Sequence, residues 1–145
     1  MRIYTIGFTK KSAEAFFGLL SDSGAKRVVD VRLSNHSQLA GFAKQDDLTW
    51  FLKRLCNMDY VHRVDLAPTD ELFRAYRKEH GSWEALRDGF LELLRQRRIE
   101  ETIPQEIIAD SVLLCSEETP EHCHRRLVAE YLRDHWDNVE IIHLV

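Results

Sequence analysis

The strongest constraint on this chain is a rhythm. Short apolar, β-branched runs alternate with segments whose apolar residues recur at helical spacing. Arg2–Ile6, Arg27–Val31, Val112–Cys115 and Val139–Leu144 are the clear strand candidates, and Tyr60–Val64 is a weaker fifth. Between them, Ser12 can cap a helix carrying Phe16, Phe17 and Leu20, with Gly24 at its end. Asp46 or Asp47 precedes an apolar stripe of Leu48, Phe51, Leu52 and Leu55. Thr69 can open a short helix through Leu72, Phe73 and Tyr76, and Ser82 a longer one through Trp83, Leu86, Phe90, Leu93 and Leu94. This alternation predicts an α/β fold with a mostly parallel central sheet of about five strands, covered by helices on both faces. The extra helices between Thr69 and Ala109 predict a helical insertion before the fourth strand. No repeat, low-complexity tract or linker divides the 145 residues, so a single domain spanning 1–145 is expected.

If the first strand lies between the second and fourth, a switch point opens beside it, and ligands of such sheets bind outside the carboxyl ends of the strands there. The residues delivered to that edge are Gly7-Phe8-Thr9, Asp30 to Arg32 and Cys115 to Glu117, with His62 joining them if its strand is parallel.

The richest reactive stretch is Cys115-Ser116-Glu117-Glu118-Thr119-Pro120-Glu121-His122-Cys123-His124-Arg125-Arg126. A strand ends at Cys115, and Thr119-Pro120 reads as a helix start, with Thr as cap and Pro in the first turn. Helical spacing then stacks Cys123, Leu127 and Tyr131 on one buried stripe, and His124, Val128 and Leu132 on the next. Arg125 flanks them, while Arg126 aligns with Glu130 on the solvent face. A helix N-terminus favours anions and lowers a thiol's pKa. A neighbouring histidine and carboxylate can exchange protons with a substrate. Each residue also has a plainer role. Cys115 and Cys123 can be small core residues, His124 can hold a loop carbonyl, and Glu117 can accept helix N–H groups. The spacing is poor for zinc, so no metal site is expected.

Asp30 and Arg32 share one side of a strand end. Arg32 suits bidentate capture of a carboxylate or phosphate, or a salt bridge to Asp30 or Glu117 that locks the polar loop Ser34 to Gln38. The following Leu39 to Lys44 stretch lacks a phosphate-loop pattern.

Together these motifs resemble the domain-of-unknown-function family 488, the YeaO-like group. Thr5-Ile6-Gly7-Phe8-Thr9 is similar to its opening element, Asp30-Val31-Arg32 with Ser34 and Ser37 to its Asp-Val-Arg stretch, and Cys115-Ser116-Glu117 with Pro120 and Cys123-His124-Arg125 to its Cys-Ala/Ser-Glu…Cys-His-Arg signature. Asn35 stands where many members carry Pro, and Leu66-Ala67-Pro68-Thr69 replaces a Leu-Gly-Gly element. The resemblance implies a compact α/β fold and a site built from these motifs, without an assigned reaction.

The three cysteines, Cys56, Cys115 and Cys123, are odd in number and sparse, which suits a reducing compartment and a cytoplasmic location. The start, Met1 to Gly7, reads as a strand and lacks signal-peptide design, so export is not expected. No apolar run is long enough to span a bilayer, and a net charge of −4 argues against DNA binding driven by overall charge. The leading expectation is an enzyme acting on an anionic small molecule, nucleotide or modified base. In that reading Arg32 and Arg125 hold the anion with Gly7, Phe8, Thr9 and Asp30 around it, His124 and Glu117 exchange protons, and Cys115 or Cys123 is the nucleophile. No cofactor is assigned. The alternative is a nucleic-acid-binding or regulatory module in which Arg32, Lys44, Lys53, Arg54 and Arg63 form a basic face and Phe42 or Trp50 stacks bases. A structural or metal-binding adaptor is the third reading.

Overall fold

Five strands form the sheet: β1 (Arg2–Gly7), β2 (Arg27–Asp30), β3 (Asp59–His62), β4 (Ser111–Cys115) and β5 (Glu140–Leu144). This computed structural model describes residues 1–35 and 41–145; most of the polar loop singled out above, and Leu39 and Ala40 after it, lie outside the described residues. The strand order is β3-β2-β4-β1-β5, and every pairing is parallel. The expected strand positions hold to within a residue or two at their ends. The largest change is at β3, which stops at His62 because Val64–Leu66 turn into a short 3-10 segment.

Seven α-helices among the described residues flank the sheet: α1 (Ala13–Ser23), α2 (Gln45–Phe51), α3 (Asp70–Arg77), α4 (Trp83–Arg97), α5 (Ile99–Thr102), α6 (Gln105–Ile108) and α7 (His124–His135). Their starts follow the chemistry of their caps. Ser12, Thr69 and Ser82 each accept a backbone N–H from the first turn of α1, α3 and α4. Gly24 ends α1 in the left-handed region at φ 73°. Residues 52–56 continue α2 as a π-helical turn. Helices α3 to α6 are the expected insertion before β4.

Period-two alternation sorts the sheet's side chains into two cores. Tyr4, Ile6, Val28, Val112 and Leu114 pack with Phe16, Phe17 and Leu20 of α1 and Leu48 of α2. Ile3, Val29, Leu113 and Cys115 pack on the opposite face with α4 and α7 through Phe90, Leu94, Leu127 and Val128. Because both faces are covered, all five residues of β4 are buried. Among the described residues no helix is long and apolar enough to cross a membrane.

Two expectations change. The fourth strand, not the first, occupies the place between its neighbours: β4 lies between β1 and β2. A switch point still opens beside β1, because the chain leaves β1 towards α1 on one face and leaves the adjacent β4 towards α7 on the other. Nor does Thr119-Pro120 start a helix. Residues 116–123 are irregular, and α7 begins at His124 with Cys123 as its cap. The reason is tertiary. The Ser116 carbonyl accepts the Thr9 N–H and the Glu117 carbonyl accepts the Arg125 guanidinium, contacts that tie the stretch after β4 to the end of β1 and to the start of α7.

The Glu117 carbonyl crosses the end of β1 at Gly7, where a Cβ would lie 1.5 Å from its oxygen and 2.8 Å from Arg125 Nη1. Gly7 therefore serves a backbone crossing, which sequence reasoning had read as approach to a ligand. Gly7→Ala should cost roughly 1–3 kcal/mol through overpacking of that crossing. Gly18→Ala, in α1 with nothing within 4 Å of the added methyl, should leave stability unchanged or raise it by about 0.5–1 kcal/mol. Denaturant unfolding of the two variants checks both signs.

Candidate functional site

A concavity of about 290 Å³ opens at the carboxyl edge of the sheet. Phe8 reaches it from the end of β1, Arg32 with Leu33 and Ser34 from the end of β2, and Cys115 with Ser116 from the end of β4. His124, the first residue of α7, borders it as well. Its remaining wall is α3, through Asp70, Phe73 and Arg77. Sequence reasoning missed this wall. Its signal was legible, since Asp70, Phe73 and Arg77 fall at i, i+3 and i+7 on a short helix with no fully buried residue.

Arg32 is held by Asp30. Its Nε and Nη2 donate to the two carboxylate oxygens at 2.9 and 2.8 Å, its backbone N–H donates at 3.1 Å, and Nη2 also reaches the Ala43 carbonyl. Asp30 is fully buried and also accepts the Tyr60 hydroxyl at 2.5 Å. Burial and the Asp30 charge push the Tyr60 pKa well up, so the phenol stays a donor. Asp30 thus sits behind Arg32 as its anchor and does not line the concavity. The pair matches the salt-bridge reading, with one atom left over: among the described residues the buried Arg32 Nη1 has no hydrogen-bond partner. The Arg32 guanidinium lies 5.3 Å from the centre of the Phe8 ring. Asn35 and His62 brace the loop from below. Asn35 Nδ2 donates to Tyr60 Oη and His62 Nδ1, which leaves His62 Nε2–H to donate to the Arg32 carbonyl at 2.7 Å. His62 itself does not border the concavity.

Cys115, Cys123 and His124 bring Sγ, Sγ and a ring nitrogen within 4.8 Å of one another, all buried. Both cysteines are free thiols. His124 Nε2 is 2.7 Å from the Val31 carbonyl, so that nitrogen carries the hydrogen. Nδ1 is then the nitrogen open to proton exchange, 3.4 Å from Cys115 Sγ. Burial lowers the His124 pKa against the opposing pull of Cys123 and of the Val31 hydrogen bond, which favours the neutral ring. Phe73 and Phe90 hold that ring edge-on, with centroids at 5.8 and 5.5 Å.

Arg125 lies behind the sulfurs and does not line the concavity. It is 0% exposed; Nη1 donates to the Glu117 carbonyl at 2.7 Å and to Cys123 Sγ at 3.3 Å. Its Nε and Nη2 are buried without partners, and among the described residues no carboxylate pairs with it. An arginine keeps its charge in proteins, so a buried one needs a counter-ion. The adjacent thiols are the groups able to supply it. Burial pushes the Cys115 thiol up, but the Cys123 hydrogen bond, the Arg125 charge and the Ser116 and Glu117 backbone amides outweigh it, and its pKa is lowered. Burial, with the hydrogen bond and charge of Cys115, raises the Cys123 pKa well above the ordinary range. The two shifts run in opposite directions, so of the coupled pair Cys115 gives up its proton more readily.

The same atoms are the metal-capable grouping among the described residues, assembled although the sequence spacing argued against one. Three donors fall short of a closed tetrahedral set, and Arg125 already supplies the positive charge a metal would bring. Glu117 stands to one side: its carboxylate pairs with Arg77, which also lies over the Phe73 ring. Thr9 contributes its backbone N–H to the Ser116 carbonyl and does not border the concavity. Arg126 pairs with Glu130, as its position on the helix required. Of the four groups expected to converge, Arg32 and His124 line one wall-to-wall space, while Glu117 and Arg125 support it from the side and from behind.

Asp30→Ala leaves the Arg32 cation buried without its partner and should destabilise the fold by about 3–5 kcal/mol. Lys53→Ala, which removes an exposed pair with Asp59, should cost under about 1 kcal/mol. Thermal unfolding of the two variants measures the contrast.

Among known proteins, no curated protein and no solved structure matches this chain. The family described as Domain of unknown function DUF488 matches residues 12–132, most of the chain, including the Asp30-Val31-Arg32 element and the whole Cys115 to Arg125 segment. The chain belongs to that family.

Proposed function

We propose that this protein is an enzyme acting on an anionic small molecule, with Cys115 as the attacking atom. The observation that carries the reading is the buried Arg125 cation, whose nearest chargeable neighbours are a pair of thiols and not a carboxylate. That arrangement holds a thiolate at Cys115, on the edge of a concavity that also carries cations. Thiolate, not thiol, is the nucleophile. Neutral His124 Nδ1, 3.4 Å away, takes up or returns the proton of the sulfur. Arg32 offers its unpartnered Nη1 to the anion, and Arg77 offers a second cation once it turns from Glu117. Phe8 and Phe73 supply apolar walls. A space of about 290 Å³ suits a mononucleotide or something smaller, including a modified base.

The nucleic-acid reading has less support. Of its five cations, Arg32 is buried on Asp30, Lys53 faces Asp59 and Arg63 is paired with Asp65. Arg54, lying over exposed Trp50, and Lys44 remain.

Alkylation tests the reading directly. Iodoacetate and iodoacetamide deliver the same carbon electrophile with and without a negative charge. Cys115 should prefer iodoacetate, relative to Cys56 in the same chain, by on the order of tenfold or more, the effect of one charge-assisted hydrogen bond. Arg77→Ala should reduce that preference. Because the Cys115 pKa is lowered, its alkylation should reach half its maximal rate below the ordinary thiol range near pH 8.5. Equal reagent preference at Cys115 and Cys56, or a Cys115 that titrates above that range, would refute the proposal.

A further inference from the structure

We infer that Cys115 and Cys123 work as an attacking and a resolving thiol, and that the substrate class is a small disulfide bearing negative charge. This rests on the reading of Cys115 as the attacking atom and adds the identity of the atom it attacks.

The two sulfurs are not equivalent towards the concavity. Cys115 borders both the main space and a narrow inner recess, whereas Cys123 borders the inner recess alone. A molecule entering the site therefore meets Cys115 first. Cys123 Sγ waits within 4.8 Å of Cys115 Sγ, with Arg125 Nη1 donating to it at 3.3 Å. A second thiol in that position is of no use to a thioether and diverts a thioester. It is useful where the adduct on Cys115 is itself a disulfide, because a thiolate displaces one sulfur from another.

The exchange balances in two steps. The Cys115 thiolate attacks one sulfur of the substrate; a Cys115–substrate S–S bond forms, the substrate's own S–S bond breaks, and the first half leaves as a thiolate. Cys123 then gives up its proton to His124 Nδ1, within the same cluster, and attacks Cys115 Sγ. The Cys115–Cys123 bond forms, the mixed disulfide breaks, and the second half leaves as a thiolate that takes the proton. The two protein thiols lose two electrons and the substrate disulfide gains them. A small-molecule thiol, two equivalents per turnover, returns the pair to the dithiol.

The scaffold permits the closing step. A disulfide needs its sulfurs at about 2.05 Å, so the pair must draw together by less than about 3 Å. Cys123 lies outside α7 in extended backbone at φ −134° and ψ 137°, at the end of the irregular 116–123 segment. Its side chain makes no helix-capping bond that the movement would break.

The test uses the full chain carrying Cys56→Ser, reduced, and dithiobis(nitrobenzoate), an aromatic disulfide with two carboxylates whose released thiolate is coloured. The expected result is release of two thiolates per chain, with a final protein lighter by two hydrogens and a Cys115–Cys123 link in its peptide map. Adding Cys123→Ser should stop the reaction after one thiolate, with the aromatic half retained on Cys115; Cys123→Ala guards against a folding defect of the first variant. Adding Cys115→Ser instead should slow the release from Cys123 by on the order of a hundredfold. A Cys123-containing chain that ends with a stable aromatic adduct, or with one on each cysteine, overturns the inference. If that chain still shows the iodoacetate preference at Cys115, the pairing alone has failed. If neither reagent reaches Cys115, the attacking role fails with it.

Discussion

Arg125 carries a permanent charge into an interior where, among the described residues, it meets backbone and sulfur but no carboxylate. Much of the surrounding geometry follows from that placement. The guanidinium draws in the Glu117 carbonyl, which forces the loop after β4 across the end of β1, and only a residue without a side chain can stand at position 7 beneath it. Residues 116–123 stay irregular, α7 starts at His124, and that side chain lands beside Cys115. The charge also orders the protons. It lowers the Cys115 pKa and, with burial, lowers the His124 pKa by adding to the cost of a further positive charge. Replacing a buried ion by a well-packed apolar side chain is often neutral or stabilising for a fold. Stability alone is thus a weak reason for an arginine here, and control of sulfur protonation is a stronger one.

The Asp30–Arg32 pair solves a different problem on the other flank. It is a self-contained ion pair, closed by Tyr60 on the acid and by the Ala43 carbonyl on the base. Its net charge is zero, so it can be buried beside Arg125 without accumulating charge, yet it leaves one guanidinium nitrogen uncommitted at the rim of the concavity. The Arg77–Glu117 pair, half-exposed, completes the set. Three arginines therefore stand around Cys115 in three settings: one against a pair of thiols, one on a buried acid and one on an acid that water can compete for.

The sheet and most helices were legible because the signals for them are local. Period-two apolar runs placed every strand, and Ser12, Thr69 and Ser82 announced three helices that the structure caps as read. What the sequence concealed was long-range. Pro120 has the local signature of a helix start, but the segment around it is placed by contacts from Thr9 and Arg125 to residues 116 and 117, and the local signal does not prevail. The strand order was unreadable for the same reason, since β4 enters between β1 and β2, strands laid down far earlier in the chain. At the site, Cys115, His124 and Arg32 were found from their motifs. The roles of Gly7, Asp30 and Arg125 as supports behind them required coordinates, because a motif names residues without saying which of them faces the ligand. The wall from α3 went unread because its stripe of Asp70, Phe73 and Arg77 is amphipathic like any solvent-side helix face.

Topology explains why a sulfur, rather than an arginine, stands at the end of the central strand. In this strand order the chain goes on from β1 to α1 and from β4 to α7 on opposite faces, and the concavity at that edge is lined by the last residue of β4. That residue is Cys115, which is paired in register with Gly7 and is therefore approached from the β1 side by a strand end with no side chain. A larger residue at either position meets an obstacle: at Gly7 the Glu117 carbonyl, at Cys115 the space that His124 and Cys123 share. Cysteine is small enough to be accommodated in the core that α4 and α7 build on that face, while remaining able to carry charge towards the open side. The same position thus meets a packing requirement from below and an electrostatic one from behind.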